Sequence, residues 1–322
     1  MDYGHQILLG LREKRWKERR DFMNHFVSWM RHGMGRQDDD LLQRAPQNFY
    51  SRQEMIYRHA GVGDVLWMIT SMKYNNHIVA PALMGRLKVG DIRKRHSYIG
   101  ETILLADDVG SVFFPMNNCF NLLKELKFTG KADIFDPDHC GHCQNLKRRG
   151  NPYSGIGLHF MRTKKLTDEG RERIEIYMQE IHSQKPIFIS YRWSDNPVFA
   201  LSLVESLIGN GLVVWWDQWM VSTLTSRQRG APIPSELLQE TLDDGIRNSS
   251  LFVALVTNTY AKSKWTLEEF NLAIRHKPET HIIAVEMGGT LPPTHQKLHH
   301  IQADKPEALA QRLADLWAAI RL

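Results

Sequence analysis

Cysteine is scarce in this chain, three residues in 322, which excludes a disulfide-built scaffold and fits a reducing compartment. Long apolar runs are missing too. No stretch approaches the roughly 18 uninterrupted apolar residues of a membrane span, so no membrane partner is expected. The first twenty residues, MDYGHQILLGLREKRWKERR, offer a short apolar segment followed by charge, which is not the pattern of a secretory leader. Together these features predict a cytoplasmic protein. There is no Gly-x-Gly-x-x-Gly turn, since Gly61-x-Gly63 ends at Leu66, and no Walker loop. A dinucleotide held as a resident hydride carrier on a Rossmann turn is thereby excluded. Internal repeats and low-complexity tracts are also absent.

What is present suffices for two domains, each large enough to bury its own core. The net charge of +5 is unevenly spread, with +6 falling before Gln184 and −1 after it. One run, Arg12, Lys14, Arg15, Lys17, Arg19 and Arg20, has the charge to attract nucleic acid, a nucleotide or an acidic partner. Glu13, Glu18 and Asp21 interleave with it, as they do on a solvated helix face. Apolar residues at near-helical spacing predict a helix over 5–32, a second within 53–75 and a third over 116–127. Short apolar runs between Tyr98 and Phe114 read as strands, and Thr129 to Tyr153 as loop. The N-terminal half is therefore expected to be a mostly helical α+β domain over 1–165. Leu166 to Gln184 reads as a connecting helix capped by Thr167.

After Pro186 the pattern changes. Four nearly continuous apolar runs, Ile187–Tyr191, Leu212–Trp216, Leu251–Val256 and His281–Val285, have the character of parallel strands covered on both faces. Segments long enough for crossover helices separate them. The first has Asn196 as cap, Pro197 at its first position, and a stop at Gly209-Asn210-Gly211. The fold class over 185–322 is therefore α/β, a flavodoxin-like layer fold around a central parallel sheet.

Pro186-Ile-Phe-Ile-Ser-Tyr-Arg192 with Asp195, Leu212-Val-Val-Trp-Trp-Asp217, Gly245-Ile-Arg-Asn-Ser-Ser-Leu-Phe-Val-Ala-Leu-Val-Thr257 and Asn258-Thr-Tyr-Ala-Lys-Ser-Lys-Trp-Thr-Leu-Glu-Glu269 follow one another in this order. Together they resemble the motifs of a TIR (Toll/interleukin-1 receptor) domain, the last matching that family's Ser-x-Trp-x-x-x-Glu signature. The resemblance implies one of two activities: adaptors that bind other TIR domains, or enzymes that cleave nicotinamide from NAD+. In the enzymes a glutamate four residues after the tryptophan contacts the ribose, and Trp265 plus four is Glu269. Nicotinamide leaves as a neutral molecule from a cationic pyridinium, so the site must chiefly stabilise an oxocarbenium-like ribose. A carboxylate does this electrostatically. Against that role stands a purely structural one. Thr266-Leu-Glu-Glu269 also fits a capping box, with Thr266 as N-cap and Glu269 reaching back to it. Glu268, about 100° further round the helix, is expected to be a surface charge.

By the same resemblance the substrate-binding candidates are Arg192, Tyr191, Trp216, Asp217, Trp219 and Trp265. Arg192 ends the first strand, where open α/β sheets bind ligands. Trp215 and Trp216 point to opposite faces of their strand, so at most one can meet a ligand. Trp219 lies in the long 218–233 loop, which in this family gates the cleft and contacts neighbouring subunits. That loop departs from the commoner family pattern at Ala231-Pro-Ile-Pro234.

Cys140 and Cys143, in His139-Cys140-Gly141-His142-Cys143, have the spacing of a half zinc site. No second Cys-x-x-Cys completes it, and two reduced loop cysteines are the competing reading. The resemblance as a whole implies an NAD+ nucleosidase, an NAD+ glycohydrolase needing no cofactor, with NAD+ as consumed substrate. It is similar to prokaryotic effectors of antiphage abortive infection, in which TIR domains self-associate on activation. The trigger for the N-terminal domain is left open among a cyclic nucleotide, a phage protein and nucleic acid. Two alternatives accompany it: an enzyme making a cyclic ADP-ribose-type messenger, and a non-enzymatic TIR assembly scaffold.

Overall fold

A computed structural model describes residues 23–29, 48–51, 54–71, 73–74, 77–95, 101–107, 109–130, 156–160, 162–217, 235–291, 298–302 and 305–320. The N-terminal part comprises β1 (His25–Trp29), β2 (Asn48–Ser51), α1 (Glu54–His59), β3 (Val65–Thr70), β4 (Lys73–Tyr74), β5 (His77–Ile78), β6 (Ala82–Arg95), β7 (Glu101–Ala106), β8 (Val112–Phe113), α2 (Phe120–Glu125), α3 (Ile156–Phe160), β9 (Lys164–Lys165) and α4 (Asp168–Ser183). Its main sheet runs β2-β7-β6-β3-β1-β9, with β8 also on β6, while β4 and β5 pair separately.

The expectation of a mostly helical domain fails over these residues. Where the helix over 5–32 was expected, His25-Phe-Val-Ser-Trp29 is a strand parallel to β3, with Phe26 opposite Leu66; residues 5–22 lie outside the described residues. Aromatic and β-branched residues favour that choice, since alternate side chains can fill two cores. Phe26 joins Leu66 and Met68 on one face, and Val27 joins Val65, Trp67 and Ile69 on the other. Within 53–75 the helix is brief, ending before Gly63, whose φ of 94° turns the chain into the fully buried β3. The third helix forms, over Phe120–Glu125. The 129–153 reading and the Cys140–Cys143 pair lie, apart from Thr129 and Gly130, outside the described residues.

α4 begins as expected, with the Thr167 side chain accepting from the Gly170 amide at 3.1 Å. It is more than a spacer. Ile174 and Ile181 are buried with Leu122, Leu126 and Phe160 against the second face of the N-terminal sheet, and the Tyr177 hydroxyl donates to the Asn118 carbonyl at 2.9 Å.

The C-terminal part comprises β10 (Ile187–Tyr191), α5 (Pro197–Gly209), β11 (Val214–Trp215), α6 (Ser235–Asn248), β12 (Leu251–Thr257), α7 (Lys264–His276), β13 (Ile282–Met287), β14 (His299–Gln302) and α8 (Pro306–Ile320). The sheet order is β11-β10-β12-β13-β14 and every pairing is parallel. Four of these strands come from the four apolar runs. The fifth, His299-His-Ile-Gln302, is an edge strand with Ile301 alone buried, so it carries little apolar signal. Val204 and Leu207 of α5 and Leu309 and Leu313 of α8 cover one face; Leu242 and Ile246 of α6 and Phe270 and Ala273 of α7 cover the other. Asn196 caps α5 by accepting from the Phe199 amide at 3.1 Å, with Pro197 at the first position.

The two parts share main-chain and apolar contacts. Met116 and Val214 exchange a pair of backbone hydrogen bonds, both 2.9 Å, on the free edge of β11. Val213 is buried in the core beneath α4, and Met116 in the core that continues under α5.

Candidate active site

The parallel strand β10 is apolar except for Ser190, which is 1% exposed. Alternation along the strand sends Phe188 and Ser190 to the face under α6 and α7, and Ile189 and Tyr191 to the face under α5 and α8. A buried hydroxyl requires partners, and Ser190 finds two. Its Oγ donates to Glu269 Oε2 at 2.5 Å and lies 2.7 Å from the Tyr260 hydroxyl. Glu269 comes from the second turn of α7, and Tyr260 from a 3₁₀ turn, Tyr260–Lys262, that leads into it.

Glu269 is therefore not a cap. The N-cap of α7 is Ser263, whose hydroxyl accepts from the Thr266 amide at 3.4 Å. Thr266 lies inside the helix, 3% exposed, and donates its hydroxyl to the Tyr260 and Ser263 carbonyls. That bond fastens the 3₁₀ turn to the helix. Glu268 faces away and lies 3.8 Å from Lys264 on the surface.

Burial is the main influence on the Glu269 carboxyl. With the negative charge of nearby Asp217, and against the opposing hydrogen bond from Ser190, it pushes the pKa from 4.5 up to about 8. At neutral pH the group is accordingly mostly a neutral acid, held beside a second carboxylate. A shift of this size from burial and a charged neighbour is characteristic of sites that manage charge.

Of the residues singled out from sequence, the structure brings Asp217 and Glu269 together. Arg192 stands at the same, carboxyl end of the sheet, donating to the Thr259 carbonyl at 3.2 Å, with Asp195 3.9 Å away. Asp195 in turn accepts hydrogen bonds from the hydroxyls of Thr257 and Thr259. Tyr191 and Trp216 go elsewhere. Both are buried in the core under α5 and α8, where the Trp216 indole donates to the Tyr191 hydroxyl at 3.3 Å. The tryptophan on the Glu269 face is Trp215, buried and stacked on Phe188 at 4.4 Å. Trp265 is 41% exposed. With Glu268, Asp243 and His276 it lines a groove of 840 Å³ between α6 and α7, whose described walls do not include Glu269. Trp219 and the rest of the 218–234 loop lie outside the described residues. Among the described residues no cluster of three or more metal-ligating side chains occurs.

Sequence reasoning did not single out Ser190 or Tyr260. A signal for Ser190 existed, as the one polar residue in Ile187-Phe-Ile-Ser-Tyr191 and on the same strand face as Phe188. Tyr260 carried none, because its role depends on a contact 70 residues away in sequence.

An open parallel sheet covered by helices on both faces, with the Glu269 carboxyl at its carboxyl end, defines a flavodoxin-like α/β domain. Residues 187–315 match the family model of the TIR domain, and the C-terminal part of this chain is a TIR domain. Fourteen solved chains match. One is the TIR domain of the Toll-related receptor TRR-2 from the lower metazoan Hydra magnipapillata, 16% identical, with 42% of this chain and 98% of that chain covered at a TM-score of 0.30. No curated protein matches. No helix of the described residues is long and apolar enough to cross a membrane.

Proposed function

We propose that this TIR domain is an NAD+ glycohydrolase with Glu269 as its catalytic carboxylate. The observation that carries the reading is the Glu269 carboxyl itself, which is held by Ser190 at the carboxyl end of the sheet instead of capping its own helix. In the reaction the bond between C1 of the ribose and the pyridinium nitrogen breaks, and its electron pair neutralises the nitrogen. Water then adds to C1 and loses a proton, giving nicotinamide, ADP-ribose and H+. The ionised Glu269 stabilises the positive charge that develops on the ribose ring. A cationic substrate beside the carboxyl favours this ionised form, and so draws the proton off a group that otherwise keeps it.

Arg192 is assigned to the phosphates or ribose at the same end of the sheet, and Asp217 to the ribose side. The N-terminal domain is assigned to sensing, with its contact on β11 as the physical link. Activation by assembly of TIR domains, and service in antiphage abortive infection, complete the proposal on the strength of the sequence resemblance. Nicotinamide release from NAD+ by the full-length protein, assayed with cyclic nucleotides, nucleic acid and phage lysate as triggers, tests it. Release that Glu269→Ala abolishes is the expected result. Release that survives the substitution, or no release under any trigger, refutes the proposal.

A further inference from the structure

Tyr260 is fully buried, and among the described residues its hydroxyl has one hydrogen-bond partner, the Ser190 Oγ at 2.7 Å. A buried phenol must place its proton on an acceptor. Burial, and then the charge of Glu269, hold the Tyr260 phenol well above its ordinary pKa, so it keeps that proton. Ser190 Oγ is therefore the acceptor, and its own proton is directed to Glu269 Oε2, 2.5 Å away. The polarity of the chain is fixed from its buried end: Tyr260 to Ser190 to Glu269.

We infer that Ser190 is the positioning residue of the Glu269 carboxyl, its hydroxyl oriented by Tyr260, so that Oε2 is permanently occupied and Oε1 alone is presented to a ligand. Two consequences follow. When Glu269 is protonated its proton resides on Oε1, because Oε2 is already accepting. When it ionises, the Ser190 donor stabilises the carboxylate against burial and against Asp217. The arrangement is rigid. Ser190 is held in register opposite Ala254 of β12, and Thr266 ties the Tyr260 carbonyl to the helix that carries Glu269.

This inference rests on the Glu269 reading for its catalytic meaning, although the proton assignment can be tested without any reaction. The experiment uses full-length protein with ¹³C-labelled glutamate side chains, the Glu269 resonance being identified by its loss in Glu269→Gln. Ser190→Ala should raise the titration midpoint of Glu269 by roughly one pH unit, since a donor to the charged form is lost. Tyr260→Phe leaves the Ser190 hydroxyl free to turn and accept from a protonated Glu269, so it should raise the midpoint by less. Ser190→Thr, which keeps the hydroxyl, should return the midpoint towards the wild-type value.

In nicotinamide release, Ser190→Ala should lower kcat roughly tenfold or more with KM little changed, and move the acid limb of the pH profile upward. A midpoint that stays put in both Ser190→Ala and Tyr260→Phe overturns the inference. Midpoints that move as stated, in a protein that releases no nicotinamide under any trigger, uphold the positioning and instead refute the glycohydrolase reading.

Discussion

Glu269→Gln isolates the energetic consequence of placing an acid beneath α7. Glutamine retains an oxygen to accept from Ser190 but cannot ionise. The folded-state pKa of the wild-type carboxyl lies above its unfolded value, about 8 against 4.5. The folded protein therefore keeps a proton, between those two pH values, that the unfolded chain gives up. More protons bound when folded means that stability falls as pH rises through this window. The full penalty is in force above about pH 8, and there is none below about pH 4.5. A displacement of this size corresponds to at most about 5 kcal/mol, at about 1.4 kcal/mol per pH unit. Glu269 retains partial exposure, and solvent screening brings the figure to about 2 kcal/mol. Urea denaturation at a series of pH values provides the assay. The variant and wild type should be nearly equal at about pH 5, and the variant should gain steadily to about 2 kcal/mol over wild type near pH 9. A difference between the two proteins that stays constant with pH would show that the carboxyl is not held in its neutral form, and would refute the reasoning.

Gly245 of α6 is a point of close approach, because a Cβ there would lie 2.5 Å from the Trp215 ring. That ring cannot retreat, being stacked on Phe188, which itself stacks on Phe252 at 5.4 Å. Gly245→Ala should therefore destabilise the protein by about 1–3 kcal/mol in urea denaturation; the gain of about 1 kcal/mol expected for this exchange in a free helix would be the contrary result. Met116→Pro removes the amide that donates to the Val214 carbonyl. Hydrogen exchange at Val214 to Asp217 should accelerate roughly tenfold while β12 stays protected, and unaltered exchange over that segment would mean that the pairing does not hold β11.

The C-terminal fold was largely legible because its strands are buried on both faces and so read as apolar runs, and because Asn196, Pro197 and Gly211 mark the ends of α5 by local chemistry alone. The N-terminal sheet was not. Phe22, Phe26 and Trp29 suit a helical period, yet His25-Phe-Val-Ser-Trp29 suits alternation equally well, and the choice is made by β3 and β9 on either side of it. β6 hides in a similar way, its Arg86, Lys88, Arg93 and Lys94 breaking up what would otherwise be an apolar run. At the site, the spacing from Trp265 selected Glu269, but sequence could not decide between capping and chemistry. What excludes capping is where the side chain goes, which is to Ser190, 79 positions earlier. The choice between Trp215 and Trp216 likewise depends on which face of a two-residue strand lies under α6, which alternation alone leaves undetermined.

β11 is where the two parts of the chain can influence one another. An edge strand normally offers unpaired backbone groups to any passing strand, but here Met116 takes up both groups of Val214. The four residues from Val213 to Trp216 are divided among the chain's cores. Val213 lies beneath α4, Val214 and Trp216 lie in the core under α5, and Trp215 lies beneath α6. Asp217 comes next, and its charge is one of the influences on Glu269. From Val214 to Asp217 is three residues, at most about 10 Å of chain, and both tryptophans along it are buried against rigid neighbours. A displacement of the 112–118 segment by the N-terminal sheet therefore has little slack to absorb it before it reaches Asp217. Because like charge acts on the Glu269 carboxyl through distance, moving Asp217 changes how readily that carboxyl ionises. Asp217 thus lies only three residues from the backbone pair that joins the two parts of the chain.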